Sequence, residues 1–291
     1  MHTQAHGHRL APRCNVIRIM AVASSVLVGA LFSATSAGAA KPAVPVGFEG
    51  GWTNVFDDEF NGSSLDTNAW TTNEGGQINN VTTHDSNVSV SGGHLVLTLA
   101  DSGSGATINS DAPGGHHVAV GEYVEASVEF PGNGTDIYNW PAWWLSGPNW
   151  PSAGENDIAE GLGTLTVNYH SLSGSHNQGT IPGAWSNAFH TYGVYRAANH
   201  SDVYWDGQLV KSYPTDDNAA PETMIFNVGD GNTTVYGTGS QMLVDWVRAW
   251  KPGPGATHPV AAPPGQVPWW DAFWNGVVGW FQSQVRALFG G

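Results

Sequence analysis

Between residues 123 and 130, apolar and polar side chains alternate without a slip. Val124, Ala126, Val128 and Phe130 fall on one face; Tyr123, Glu125, Ser127 and Glu129 fall on the other. That period of two predicts a strand with one face toward a core. Shorter runs at 88–90, 95–99, 165–169, 190–195, 202–205 and 242–249 read the same way, separated by Gly, Asn, Asp and Ser. From 48 to 251 no helical periodicity is sustained, and no internal repeat is visible. Many short strands broken by turn residues predict an all-β sandwich of two antiparallel sheets.

The pattern changes at both ends. Residues 252–268 carry six prolines among glycine and alanine, which suits an extended linker over 253–268. Over 269–289, Trp270, Phe273, Trp274, Val277, Val278, Phe281, Val285, Leu288 and Phe289 share one helical face. Asp271, Asn275, Gln282 and Arg286 take the other. This is an amphipathic helix pattern, weakened by Gly276 and Gly279, and it suits an envelope surface or membrane interface. At the other end, Arg9, Arg13 and Arg18 precede an apolar run over 19–32, then Ala37-Gly38-Ala39. Residues 1–40 therefore read as a secretory signal peptide, and the mature chain as secreted, extracellular or associated with the cell envelope.

Loss of that signal removes the lone cysteine, Cys14, and leaves six basic against 24 acidic residues, a formal charge of −18. Such a surface repels phosphate backbones, which argues against nucleic acid, while a neutral polysaccharide is a compatible partner. The histidines lack zinc spacing, and neither a phosphate-binding glycine loop with lysine nor a Gly-x-Ser-x-Gly elbow occurs.

The candidate chemistry lies in Glu155-Asn156-Asp157-Ile158-Ala159-Glu160, where three acids fall at positions i, i+2 and i+5 of a short strand. Regular alternation would put Glu160 opposite Glu155 and Asp157, whereas one bulged residue between Asp157 and Glu160 returns it to their face. Three carboxylates on one face resist simultaneous ionisation, so at least one pKa should rise. No Lys or Arg occurs from 42 to 195 to neutralise them. Glycoside hydrolysis uses such a pair, one carboxylate ionised and one protonated, and retention of configuration needs them roughly 5–5.5 Å apart. Solvated surface acids are the plain alternative.

Together with the preceding Trp150-Pro151-Ser152-Ala153-Gly154, this strand resembles the active-site strand of glycoside hydrolase family 16 in its bulged, laminarinase-like form. Phe56-Asp57-Asp58-Glu59-Phe60, Trp140-Pro141-Ala142-Trp143-Trp144, Phe189-His190-Thr191-Tyr192 and Val244-Asp245-Trp246 follow the family's order. The resemblance implies a concanavalin A-like β-jelly-roll over 48–252, Glu155 as nucleophile, Glu160 as general acid/base and Asp157 between them. It also implies a polysaccharide substrate and no required cofactor, with a structural calcium ion held by Gly93 (main chain) and Asp245, where a merely solvated strand aspartate is the alternative. Trp140, Trp144 and Trp150 are the candidate sugar platforms, and parity puts Trp143 on the face opposite Trp140 and Trp144. Core packing is the competing role for each. His170 and Glu125 either line the groove or are, respectively, a structurally bonded histidine and a solvated glutamate. Asn156 stands where the family usually has Ile or Leu, Ala159 where it has Met, and Ser127 where Arg often follows Glu-Ala.

These features lead to a secreted endo-glycosidase acting on β-linked glucan, with 1,3 linkages favoured. Transglycosylation, a galactan substrate and a lectin-like module that binds without turnover are the alternatives.

Overall fold

The computed structural model describes residues 41–231, 236–237 and 239–259. Among these residues the strands form one eight-stranded and one ten-stranded sheet, and the only helix is a three-residue turn, Asp85–Asn87. Apart from the parallel pairing of Val81–Thr83 with Ser104–Asn109, the strand pairs are antiparallel. This is the all-β sandwich that the alternation predicts.

The order of the first sheet runs Gln208–Pro214, His200–Trp205, His190–Arg196, Tyr123–Glu129, Gln241–Pro252, His94–Thr98, Val88–Ser91. Trp52–Asp58 pairs with Gln241–Pro252. The second sheet holds Glu155–Gly161 between Leu165–Ser171 and Trp140–Ser146, with Glu222–Gly229 beyond. Val124, Ala126, Val128 and Phe130 are fully buried together, as their parity requires, and meet Trp143, Leu145, Ile158, Val167 and Phe226 from the second sheet.

The other face of Tyr123–Glu129 is also covered. Phe48, Trp52, Tyr204, Leu209 and Trp250 pack around Tyr123 in a second apolar cluster. The first residues of the expected linker lie against it: Thr257 bridges to Glu49, and His258 stacks 4.4 Å from Tyr195 with its Nδ1 2.8 Å from the Tyr204 hydroxyl. Both the expected signal peptide and the amphipathic segment 269–289 lie outside the described residues.

Candidate active site

The acidic strand carries the bulge its spacing demands. Against Leu165–Ser171, Asp157 pairs with Asn168 but Glu160 pairs with Thr166, so three steps on one strand meet two on the other. Against Trp140–Ser146 the pairing jumps from Trp144↔Asp157 to Trp143↔Ala159, which singles out Ile158 as the extra residue. A bulge frees ladder groups that must find partners. The Ile158 carbonyl accepts from Trp205 Nε1 at 3.0 Å, a bond that crosses the sandwich from the opposite sheet. Ile158 and Ala159 enter the core, and Glu155, Asp157 and Glu160 line the outer face.

Neighbouring strands supply the rest of that face. Trp140 Nε1 donates to Glu160 Oε1 at 2.6 Å, and Asn168 Nδ2 donates to Glu160 Oε2. Trp144 Nε1 donates to Asn227 Oδ1 at 2.7 Å. Trp143 points the other way, fully buried and stacked on Phe226 at 4.2 Å. Trp150 is 59 % exposed and close enough to Glu155 to favour its ionised form. His170 Nε2 lies 3.2 Å from Asp157 Oδ2 and 3.6 Å from Glu155 Oε1, and its Nδ1 meets the Ser175 hydroxyl at 2.7 Å. The Asp157 contact is close but poorly aligned, and it leaves Oδ2 without a well-formed hydrogen bond.

Burial sets the electrostatics. It pushes the Glu155 carboxyl up to about 7, Asp157 adds to the rise, and His170 and Trp150 oppose it. Asp157 is pushed up to about 6, again by burial first, with the His170 bond opposing and Glu160 adding. Burial also raises Glu160, against the bonds from Trp140 and Asn168. His170 is raised in turn, chiefly by its close contact with the Asp157 carboxylate. The cluster thus retains protons well above the usual carboxylate range and shares them among its members. Donor atoms of Glu155, Asp157 and His170 lie within 4.8 Å of one another, close enough for a metal ion. Any such ion would compete for His170 with the Asp157 carboxylate that raises it.

One expectation needs correction. Glu125 does not line the groove. It lies in the other sheet, 0 % exposed beneath the second apolar cluster, where it accepts from Val46 N at 3.1 Å and Trp250 Nε1 at 3.1 Å. Its strand parity is right; what covers that face is the N-terminal segment, which alternation cannot show. The expected calcium donors are the Gly93 carbonyl and Asp245. Asp245 sits at a register shift of its strand with Oδ1 3.8 Å from His94 Nε2. Both oxygens of nearby Glu59 are taken at 2.8 Å by Arg248. A hard cation held there by the Asp245 carboxylate and the Gly93 carbonyl would share that carboxylate with the His94 imidazole.

Asn168 and Asn227 are polar groups of this face that reading the sequence missed. Asn168 stands two residues before His170, so the same parity would have found it once the strand pairing was known.

The model described as "XgeA-like, catalytic GH16 domain" matches residues 130–213, a stretch that contains the whole acidic strand. No curated protein matches the chain. Among solved structures, the endo-β-1,3-glucanase from Pyrococcus furiosus is 22% identical, with a TM-score of 0.59 over 72% of this chain and 96% of that one. SCLam, a non-specific endo-β-1,3(4)-glucanase from family GH16, is also 22% identical, with a TM-score of 0.61 over 72% and 94%. The laminarinase catalytic domain from Thermotoga maritima MSB8 is 24% identical, with a TM-score of 0.58 over 69% and 99%. These share the fold. With the catalytic-domain match over the acidic strand, they mark the chain as a glycoside hydrolase on a β-jelly roll, similar to family 16.

Proposed function

We propose that this hydrolase cleaves β-glucan internally, with 1,3 linkages as the preferred substrate, by double displacement with retention. The supporting observation is the bulged strand, which sets Glu155, Asp157 and Glu160 on one outer face beside three indoles. In this reading Glu155 attacks the anomeric carbon and Glu160 protonates the leaving oxygen, then takes a proton from the incoming water. Asp157, most buried of the three and next to His170, adjusts how their protons are shared. Trp150, Trp140 and Trp144 would stack on the apolar faces of the sugar rings. The glucanase names of the structures sharing the fold support the substrate class. Export through residues 1–40 and attachment to an envelope surface through 269–289 belong to the same proposal and rest on the sequence pattern.

The test is reducing-sugar release from laminarin and lichenan. Glu155→Ala should abolish it, and azide should restore part of it by occupying the vacated nucleophile position. Glu160→Ala should retain turnover of aryl glycosides with good leaving groups while losing the polysaccharide. Full activity of either variant on laminarin refutes the roles. If the wild type acts on a galactan and not on laminarin, the substrate reading fails while the mechanism stands.

A further inference from the structure

Beneath the acidic strand, on its core side, lies a buried polar cluster that the hydrolytic mechanism does not use. Asn156 is 0 % exposed, and its Nδ2 lies 2.9 and 2.8 Å from the two oxygens of Glu222. Its Oδ1 accepts from the Tyr213 hydroxyl at 2.9 Å. Arg196 Nη2 reaches Glu222 Oε1 at 3.1 Å and Asp217 Oδ2 at 2.8 Å. Its Nη1 donates to the carbonyls of Val118 and Ala220. Asn156, Glu222, Arg196, Asp217 and Tyr213 come from the acidic strand, three other strands and a loop, and all five are buried.

The same cluster touches the chain on both sides of Glu155. Asn156 follows it. Gly154 precedes it with φ +79°, and a Cβ there would lie 2.5 Å from Asp217 Cβ and 3.2 Å from Glu222 Oε1. The left-handed conformation and the lack of room both demand glycine. Buried ion pairs seldom add net stability, because desolvation offsets the attraction, and apolar groups of equal volume often serve as well. A leucine would satisfy the packing at position 156. A carboxamide satisfied on both its ends instead fixes one rotation and one depth for this strand position.

We propose that Asn156, held by Tyr213 and by a Glu222 that Arg196 fixes in turn, is a positioning residue that sets the depth and direction of Glu155 in the groove. It touches no substrate and acts through the backbone it shares with Glu155. Because displacement needs near-attack geometry, a small tilt of that backbone should cost turnover more than binding. The inference rests on the nucleophile role given to Glu155 above.

The test compares Asn156→Leu, Tyr213→Phe and their double variant, with Val90→Ala as a control that loosens the core at the far edge of the first sheet. Asn156→Leu should lower kcat on laminarin by about tenfold or more while KM stays within about twofold. Tyr213→Phe removes one hydroxyl and keeps the ring, so it should fold normally and lower kcat by about two- to fivefold. In the Asn156→Leu background it should cost nothing further, since both act through one contact. Independently of any substrate, carboxyl 13C NMR should show the Glu155 titration midpoint moved by about half a pH unit in Tyr213→Phe. Unchanged kcat and an unchanged Glu155 titration in Tyr213→Phe overturn the proposal. So does a kcat loss in Val90→Ala equal to that in Asn156→Leu, which would make the effect one of stability alone. If the wild type releases no sugar from laminarin, the substrate reading fails, and the NMR titration still decides this one.

Discussion

Glu160 is held at both oxygens, by the Trp140 indole and the Asn168 amide, and both donors favour its ionised form against the burial that raises it. Removing one should let burial win further. Asn168→Ala is therefore expected to move the alkaline limb of the kcat profile to higher pH and to lower kcat by about tenfold as the carboxyl loses its fixed direction. Steady-state rates from pH 4 to 9 check this. A second consequence concerns stability. Glu155, Asp157, Glu160 and His170 all have folded-state pKa values above their ordinary ones, so the folded state binds more protons than the unfolded chain. That contribution is complete below about pH 4, and it is lost as pH rises through about 6 for Asp157 and about 7 for Glu155. The melting temperature should fall between pH 5 and 8, and Glu155→Gln should flatten the fall by about 4 °C. At this scale the sequence was informative about the acids, whose type and spacing carry the chemistry. It was silent on Glu125, because an acid on an alternating strand looks solvated until the segment covering it is known.

The element that matters most is one strand with one extra residue. The i, i+2, i+5 spacing is legible because three acids can share a face only through a bulge. What stabilises the bulge was not legible, since the Trp205 indole that caps the Ile158 carbonyl arrives from the other sheet. Deleting Ile158 should restore regular pairing with the acids at i, i+2 and i+4, a spacing that keeps Glu160 on the outer face. The expected result is turnover that persists together with a lower melting temperature, because the core loses a buried isoleucine and Trp205 Nε1 loses its acceptor. Glu160→Gln should lose turnover at nearly full stability, so circular dichroism melts of the two variants separate the bulge from the carboxyl. Strand legibility elsewhere followed burial. Tyr123–Glu129 announces itself because one face is wholly apolar. Gly174–Thr180 has polar or small side chains throughout and mostly exposed positions, so no period was there to read.

For the whole molecule, the sandwich core explains how a chain with no cysteine after residue 40 holds together, but a second apolar cluster extends the fold past its last strand. Composition over 252–268 reads as linker throughout. Yet residues 253–257 run back along the first sheet, with Gly253 N bonded to Gly51 O and Thr257 bridging to Glu49. His258 then closes over Phe48, Tyr195 and Tyr204. Proline and glycine content signals an absence of helix, and it does not distinguish a free spacer from a strap that packs. Two truncations tell them apart. A chain ending at Lys251 loses Thr257 and His258 and uncovers part of the aromatic cluster, so its melting temperature should drop by about 4–8 °C. A chain ending at Pro259 keeps those contacts and should match the full chain in melting temperature and in turnover of soluble glucan. If the apolar face over 269–289 serves attachment, the Pro259 truncation should release the enzyme from vesicles or cell surfaces without touching catalysis. A lower melting temperature or lost turnover in that second truncation would instead make the terminal segment part of the folded enzyme, with its apolar face spent on the enzyme's own surface.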